Sequence, residues 1–185
     1  EIFFTSGGTE SDNWALVGVA EQLESKGKHI ITSSIEHHAV LNTAKNIKKK
    51  GFEVVYLPCD EYGIINPETL EQAIDENTIL VSIMYVNNEI GTVEPIKELA
   101  EVAHKYGALF HTDAVQAAGS LAIDVRDLGV DMLSISGHKF NAPKGVGALF
   151  VKRGIKISPY ITGGHQENGK RGGTENVPYI VGMAK

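Results

Sequence analysis

The chain has 185 residues, and its 17 basic and 23 acidic side chains give a net charge of −6 with histidine neutral. At 42% hydrophobic and 22% charged it has the composition of an ordinary globule about one domain long, and it lacks both the basic footprint of a nucleic-acid binder and the apolar run of roughly 18 residues that a membrane helix needs. A lone Cys59 excludes a disulfide framework and fits a reducing compartment, so the cytoplasm is the expected location. The chain opens on an apolar stretch without an initiator Met and closes inside a helical pattern. It therefore reads as a piece truncated at both ends.

In chain order, β-branched and aromatic runs predict strands at Ile2–Thr5, His29–Ser33, Glu53–Leu57, Ile79–Val86, Ala108–Thr112, Met132–Ser136 and Gly147–Val151. Between them, Ser11–Ser25 and Ala39–Lys49 carry apolar residues at helical spacing. Asn66-Pro67-Glu68 is a helix start with Pro at the first helical position, and Ile96–Tyr106 stops at Gly107, a left-handed cap. Strand and helix alternate, which predicts an α/β fold: a seven-stranded, mostly parallel sheet with helices on both faces. The stretch joining the last two strands, Gly137–Lys144, has no helical period and leaves an antiparallel final pairing open.

Ligands of open α/β sheets sit beyond the carboxyl ends of the strands. Those ends carry Ser6, Gly7, Gly8 and Thr9, then Glu36 and His37, then Asn87, Asn88 and Glu89. Asp113 and Gln116 come next, then Ser136, His138 and Lys139. Ser6–Ser11 is a glycine-bearing turn feeding a helix, suited either to an anion or to a plain N-cap. No G-K-[ST] or G-x-G-x-x-G pattern accompanies it, so a single phosphate fits better than a nucleotide. Asp113 closes a buried strand and is read either as the partner of a cation or as the N-cap of a helix over Ala114–Ala118. Lys139 follows another buried strand, where a sheltered amine can attack a carbonyl. A phosphate cup, a strand-end aspartate and a sheltered lysine together suggest pyridoxal 5'-phosphate.

Six motifs then appear in one order: T-S-G-G-T-E-S-D-N, E-H-H-A-V, V-N-N-E-I-G-T, H-T-D-A-V-Q, S-G-H-K-F-N-A-P-K-G-V-G-A-L and R-G-G-T-E-N. In these the sequence resembles the cysteine desulfurases, pyridoxal-phosphate enzymes of the aminotransferase class V superfamily. The resemblance implies a fold-type I large domain over residues 1–185, with the small C-terminal domain absent. It matches Lys139 to the Schiff-base lysine and Asp113 to the partner of the ring nitrogen. His37 matches the imidazole stacked on the ring and implicated in proton transfer. Asn88 and Gln116 match polar groups near the ring, and Gly8, Thr9, Ser136 and His138 match phosphate ligands. Thr174 matches a phosphate contact from a second subunit, which implies a homodimer. The implied reaction takes sulfur from L-cysteine as a persulfide on a mobile cysteine, leaves L-alanine, and serves iron–sulfur cluster assembly through a scaffold or other acceptor protein. That cysteine is expected beyond R-G-G-T, outside this chain, so the fragment alone is expected to be inactive. Cys59 reads as a small residue at a turn.

Another class V enzyme, such as an aminotransferase or a selenocysteine lyase, is the nearest alternative. Seven histidines raise a metal hydrolase, but His37-His38 belongs to no metal motif, and no metal is expected. A non-catalytic interaction module is the third reading.

Overall fold

The computed structural model describes all residues from Glu1 to Lys185. Seven strands form one sheet: β1 (Ile2–Thr5), β2 (His29–Ser33), β3 (Glu53–Leu57), β4 (Thr78–Ser82), β5 (Leu109–Asp113), β6 (Met132–Ser136) and β7 (Gly147–Val151). Their spatial order is β1-β7-β6-β5-β4-β2-β3. The pairings from β3 to β6 are parallel, and β7 runs antiparallel to both neighbours, β6 and β1. The antiparallel possibility left open at the end of the chain is thus realised. Since β7 opposes both neighbours, β1 runs with the parallel strands, and its carboxyl end joins theirs at one edge.

The helices are α1 (Gly8–Leu23), α2 (His38–Lys49), α3 (Pro67–Ala73), α4 (Ile96–Lys105), α5 (Val125–Leu128), α6 (Gln166–Gly169) and α7 (Val177–Ala184). Alternate strand residues feed two cores. Ile30, Leu80, Met132 and Leu149 pack with Trp14, Leu16 and Val19 of α1 and Val40 and Ile47 of α2. Ile31, Val81, Phe110 and Leu133 pack with Leu70 of α3 and Leu99 and Ala103 of α4 on the opposite face. This period-two division is what a sheet covered on both faces requires.

Two expectations are corrected. The fourth strand ends at Ser82 rather than Val86. Ile83 and Tyr85 still donate backbone N–H bonds to His111 and Asp113 of β5, but β2 ends at Ser33, so no strand pairs with this stretch on the other side. Its hydrophobicity persists because Ile83 and Met84 remain buried. The helix expected over Ala114–Ala118 is a run of turns. Gly119, at φ 82°, turns left-handed and stops the coil after about one turn. Elsewhere the punctuation acts as expected. Asn66 caps α3 through Glu68 N–H, and Gly107, at φ 74°, follows α4.

Candidate active site

A cavity of about 520 Å³ opens at the carboxyl edge, above the ends of β1, β5 and β6. Gly8, Asp113 and Ser136 form a buried floor, and Thr9, His37, Asn88, His138 and Lys139 form an exposed rim with Gln116 between them. Nine of the ten residues matched to site roles from sequence therefore line one space. The tenth, Thr174, is exposed in an adjoining cleft of about 230 Å³ that shares Ser6 and Gly145 with the cavity. Lys139 departs from expectation in one respect. It is exposed rather than sheltered, because a one-turn 3₁₀ helix, Gly137–Phe140, carries it above the sheet edge.

The cup is set by close backbone packing. Gly147 of β7 lies between Thr5 and Ser136, and a Cβ there would come 2.7 Å from Gly7 Cα. A Cβ on Gly8 would meet Val115 Cγ2 at 2.5 Å. Only glycine at these positions lets the start of α1 settle onto the ends of β1, β6 and β7. The first helical bond is Ser11 N–H to Gly7 O at 3.2 Å. The N–H groups of Gly8, Thr9 and Glu10 precede it and have no intrahelical acceptor. Beside them Ser136 Oγ lies 3.0 Å from His138 Nδ1. Donors and a positive helix end so arranged fit an anion.

Asp113 Oδ1 accepts Val115 N–H at 2.9 Å, the cap-like bond foreseen for it, although no helix follows. Burial raises its pKa, opposed by that hydrogen bond and by the His37 and Lys139 charges. His37 caps α2, its Nδ1 accepting Ala39 N–H at 3.1 Å. A neutral His37 ring consequently carries its proton on Nε2. Gln116 Oε1 is buried with no protein partner. The rings of His37 and His38 are 6.4 Å apart and nearly perpendicular, at 84°.

Three further edge residues do not line the cavity. Glu36 is buried beneath His37, where its Oε1 accepts from Ser33 Oγ at 2.6 Å and Met84 N–H at 2.9 Å. Burial pushes its pKa up to about 8. Asn87 Oδ1 accepts from Glu89 and Ile90 N–H, shaping the loop that presents Asn88, and Glu89 is exposed. The structure also adds lining residues that sequence reading missed, chiefly Asp12 and Lys144. Lys144 sits in the quoted A-P-K-G motif. Asp12 sits one turn along α1 from Gly8, a spacing that places both on one helix face. Arg171, in the R-G-G-T loop, donates to both oxygens of Glu10 at 2.8 and 3.1 Å, and Glu10 Oε2 also accepts Ser6 N–H. The loop before α7 is thereby fastened to the rim of the cup.

Residues 1–185 match the family described as Aminotransferase class-V. The chain is 60% identical over 185 residues to cysteine desulfurase IscS of Methanosarcina thermophila, covering 46% of that protein. It is 59% identical over 185 residues to cysteine desulfurase IscS of Dictyoglomus turgidum, covering 47%. All of this chain superposes on 51% of a solved NifS-like protein, with TM-score 0.97 and 49% identity. Another solved structure, SspA in complex with cysteine, gives 0.95 at 48% identity over 98% of this chain and 53% of that one. The chain thus spans about half the length of the curated relatives it matches.

Proposed function

The chain belongs to the aminotransferase class V family along its whole length, and on that premise we propose that residues 1–185 are the cofactor-binding large domain of a cysteine desulfurase dependent on pyridoxal 5'-phosphate. The observation that carries the reading is the convergence of the α1 cup, Asp113 and Lys139 on one cavity from separate strand ends. The IscS relatives at about 60% identity support the desulfurase class, and the neighbour solved with cysteine supports L-cysteine as substrate.

The residues present fit that cofactor. The free N–H groups of α1 with Thr9, Ser136 and His138 suit its phosphate, and Asp113 keeps one oxygen clear of intrachain hydrogen bonds for a ring N–H⁺. Gln116, unclaimed by the protein, is free to meet the phenolic oxygen. When bound, pyridoxal phosphate supplies a cationic ring that takes up electron density from the substrate α-carbon. Asp113 holds the proton on the ring nitrogen by its charge. Lys139 would hold the cofactor's aldehyde group through Nζ, and its free amine would then serve to move a proton at the substrate α-carbon. His37, fixed as the cap of α2, presents Nε2–H at the rim, and Asn88 adds a polar contact.

The sulfur acceptor within the enzyme is assigned to a cysteine outside this chain. Cys59 packs partly buried against the α4-side core and does not line the cavity. The isolated chain is then inactive, and the persulfide passes from the whole enzyme to an iron–sulfur scaffold or another acceptor protein. A two-fold homodimer would bring Thr174 to the neighbouring subunit's phosphate. Its exposure supports this, as does α7, which buries none of its residues and exposes Val177, Tyr179 and Val181. Cytoplasmic placement rests on the lone thiol, and no helix is long and apolar enough to cross a membrane.

The deciding experiment is an assay of the full-length enzyme for L-alanine and sulfide from L-cysteine, together with the absorption of bound cofactor. Formation of neither product by cofactor-loaded enzyme overturns the reading. Subunit mixing tests the dimer. Exchange between inactive Lys139→Ala and Thr174→Ala enzymes restores activity if sites are composite, because one of the two heterodimer sites carries neither defect. No recovery in verified heterodimers assigns Thr174 to its own subunit.

A further inference from the structure

A second carboxyl faces the cavity that the functional reading leaves unused. Asp12, 1% exposed, lines the same cavity as Asp113, and its Oδ1 has no hydrogen-bond partner. Leu109, His111 and Asp113 alternate to one side of β5, the side covered by α1. Ser82 of β4 and Ser134 of β6 fall on that side by the same alternation. They bracket His111, with Ser82 Oγ at 2.8 Å from Nδ1 and Ser134 Oγ at 3.0 Å from Nε2. Asp12 Oδ1 comes within 3.8 Å of His111 Nε2, too far for a hydrogen bond. A polar layer four side chains deep therefore lies between α1 and the sheet, directly behind the cavity floor.

The charge of this layer follows from its surroundings. His111 is fully buried, and burial holds its pKa down at about 3, so its ring is neutral and the two hydroxyls satisfy it. Asp12 thus has no cation behind it. Burial, reinforced by the Asp113 charge, raises its pKa well above the ordinary carboxyl value, and the Ser134 hydroxyl offsets only part of this. Asp113 differs, since His37 and Lys139 favour its charged form. Two carboxyls in one dry wall do not both ionise cheaply when a cation faces only one of them.

We propose that Asp12 is a positioning residue that keeps its proton behind the cofactor, so that the Asp12–Asp113 pair presents one negative charge, on Asp113, to the ring nitrogen. The pairing is then one cation with one anion. An ionised Asp12 would leave a buried charge unmatched and would compete with Asp113 for the ring proton. The neutral acid also fills the space under α1 without adding repulsion toward the phosphate held at the start of the same helix.

The inference rests on the cavity's being a pyridoxal-phosphate site. Binding of the cofactor to the full-length wild-type enzyme tests that reading by itself, and absence of binding defeats it. Infrared difference spectroscopy of the loaded wild-type and Asp12→Asn enzymes, in H₂O and D₂O at pH 7, then decides the charge of Asp12. The expected result is loss in the variant of a carbonyl band of a protonated carboxyl that shifts in D₂O. Retention of every such band, with loss of a carboxylate band instead, overturns the proposal. A second measurement needs no variant: ring ¹⁵N shifts of His111 in the wild-type enzyme should be those of neutral imidazole at pH 7, and imidazolium shifts would show an ion pair with Asp12 and overturn it. Cofactor affinity adds a contrast. Asp113→Asn should weaken binding about tenfold or more, and Asp12→Asn less than about threefold, because it replaces one neutral group with another. Equal losses in the two variants would mean that Asp12 supplies negative charge.

Discussion

Asp113 and Asp131 are both buried aspartates at strand ends, on neighbouring strands and at opposite edges of the sheet. Asp131, just ahead of β6, is held by donors and a cation of its own chain. Its Oδ2 accepts Phe110 N–H at 2.9 Å and lies 2.8 Å from His104 Nε2, and Lys152 Nζ approaches Oδ1 at 3.7 Å. Asp113, closing β5, has one hydrogen bond, to Val115 N–H. The same contrast runs along the two edges. Around the cavity, Asp12 Oδ1, Glu36 Oε2 and Gln116 Oε1 are buried without partners. At the amino edge Asp75 and Thr78 share His29 Nδ1, and only His29 Nε2 is left over. Of the two aspartates, Asp131 is matched by donors of its own chain, whereas Asp113 keeps an oxygen clear for a ligand.

Variants of the full-length enzyme put that contrast at risk. Lys139→Ala should have the largest effect, with no L-alanine formed and no cofactor fixed to the protein by borohydride. Peptide mapping that finds the wild-type label on another lysine would displace Lys139 from its role. Asp113→Asn keeps an acceptor for Val115 N–H but removes the charge, so turnover should fall about 10- to 1000-fold while stability changes little. Asp131→Asn should do the reverse, losing about 1–3 kcal/mol in denaturant unfolding while turnover per folded enzyme is kept. If the two variants behaved alike, the difference between the edges would carry no functional meaning.

Glu36 sharpens the comparison through pH. Its folded pKa of about 8 lies above the ordinary 4.5. Between those values the folded state holds a proton that the unfolded state has released, so stability falls as pH rises. At about 1.36 kcal/mol per unit the loss is on the order of a few kcal/mol. Chemical denaturation of the apoenzyme at pH 5 and pH 8 should show this decline in the wild type relative to Glu36→Gln, which cannot ionise. His111 has the opposite sign, its neutral form adding stability above pH 6.5 that is lost as pH falls toward 3. The Glu36→Gln comparison cancels that contribution. The smallest effect belongs to Glu10→Gln. Weakening the bidentate bond to Arg171 should cost about 1 kcal/mol, seen as faster hydrogen exchange of the amides around Arg171.

Much of this was legible from residues alone. The bounds of β1, β2, β3, β6 and β7 follow their β-branched runs, and Asn66 and Gly107 mark helix ends as their chemistry requires. The rim of the site was legible because strand-end residues of an α/β sheet converge whatever the details of packing. Asp12 was not. Trp14, Val17 and Leu23 suggest one apolar stripe on α1, yet the helix packs on the sheet and also against α2 beside it, and so buries most of its circumference, Ser11 and Asp12 included. Periodicity loses its phase on such a helix, and a buried acid is then indistinguishable from a solvated one. The overlong β4 failed for a related reason: Ile83 and Met84 are apolar because they are buried, although no β2 residue pairs with them.

The place of β7 has a consequence for the order in which the protein is made. Thr5 and Ser136 are joined only through Gly147, which pairs with both and underlies the turn at Gly7. Of these seven strands, the first to be made thus finds its only sheet partner in the last. Closing so long a loop is an entropic cost that falls late in assembly. The parallel strands β2 to β6 can gather while β1 and α1 still lack their final support. The phosphate cup, built from the earliest residues of this chain, is therefore completed by some of its latest. Cofactor capture becomes a checkpoint on the whole sheet, because a nascent chain halted before Gly147 has every cup residue from Ser6 to Glu10 and Ser136 but lacks the strand that underlies Gly7.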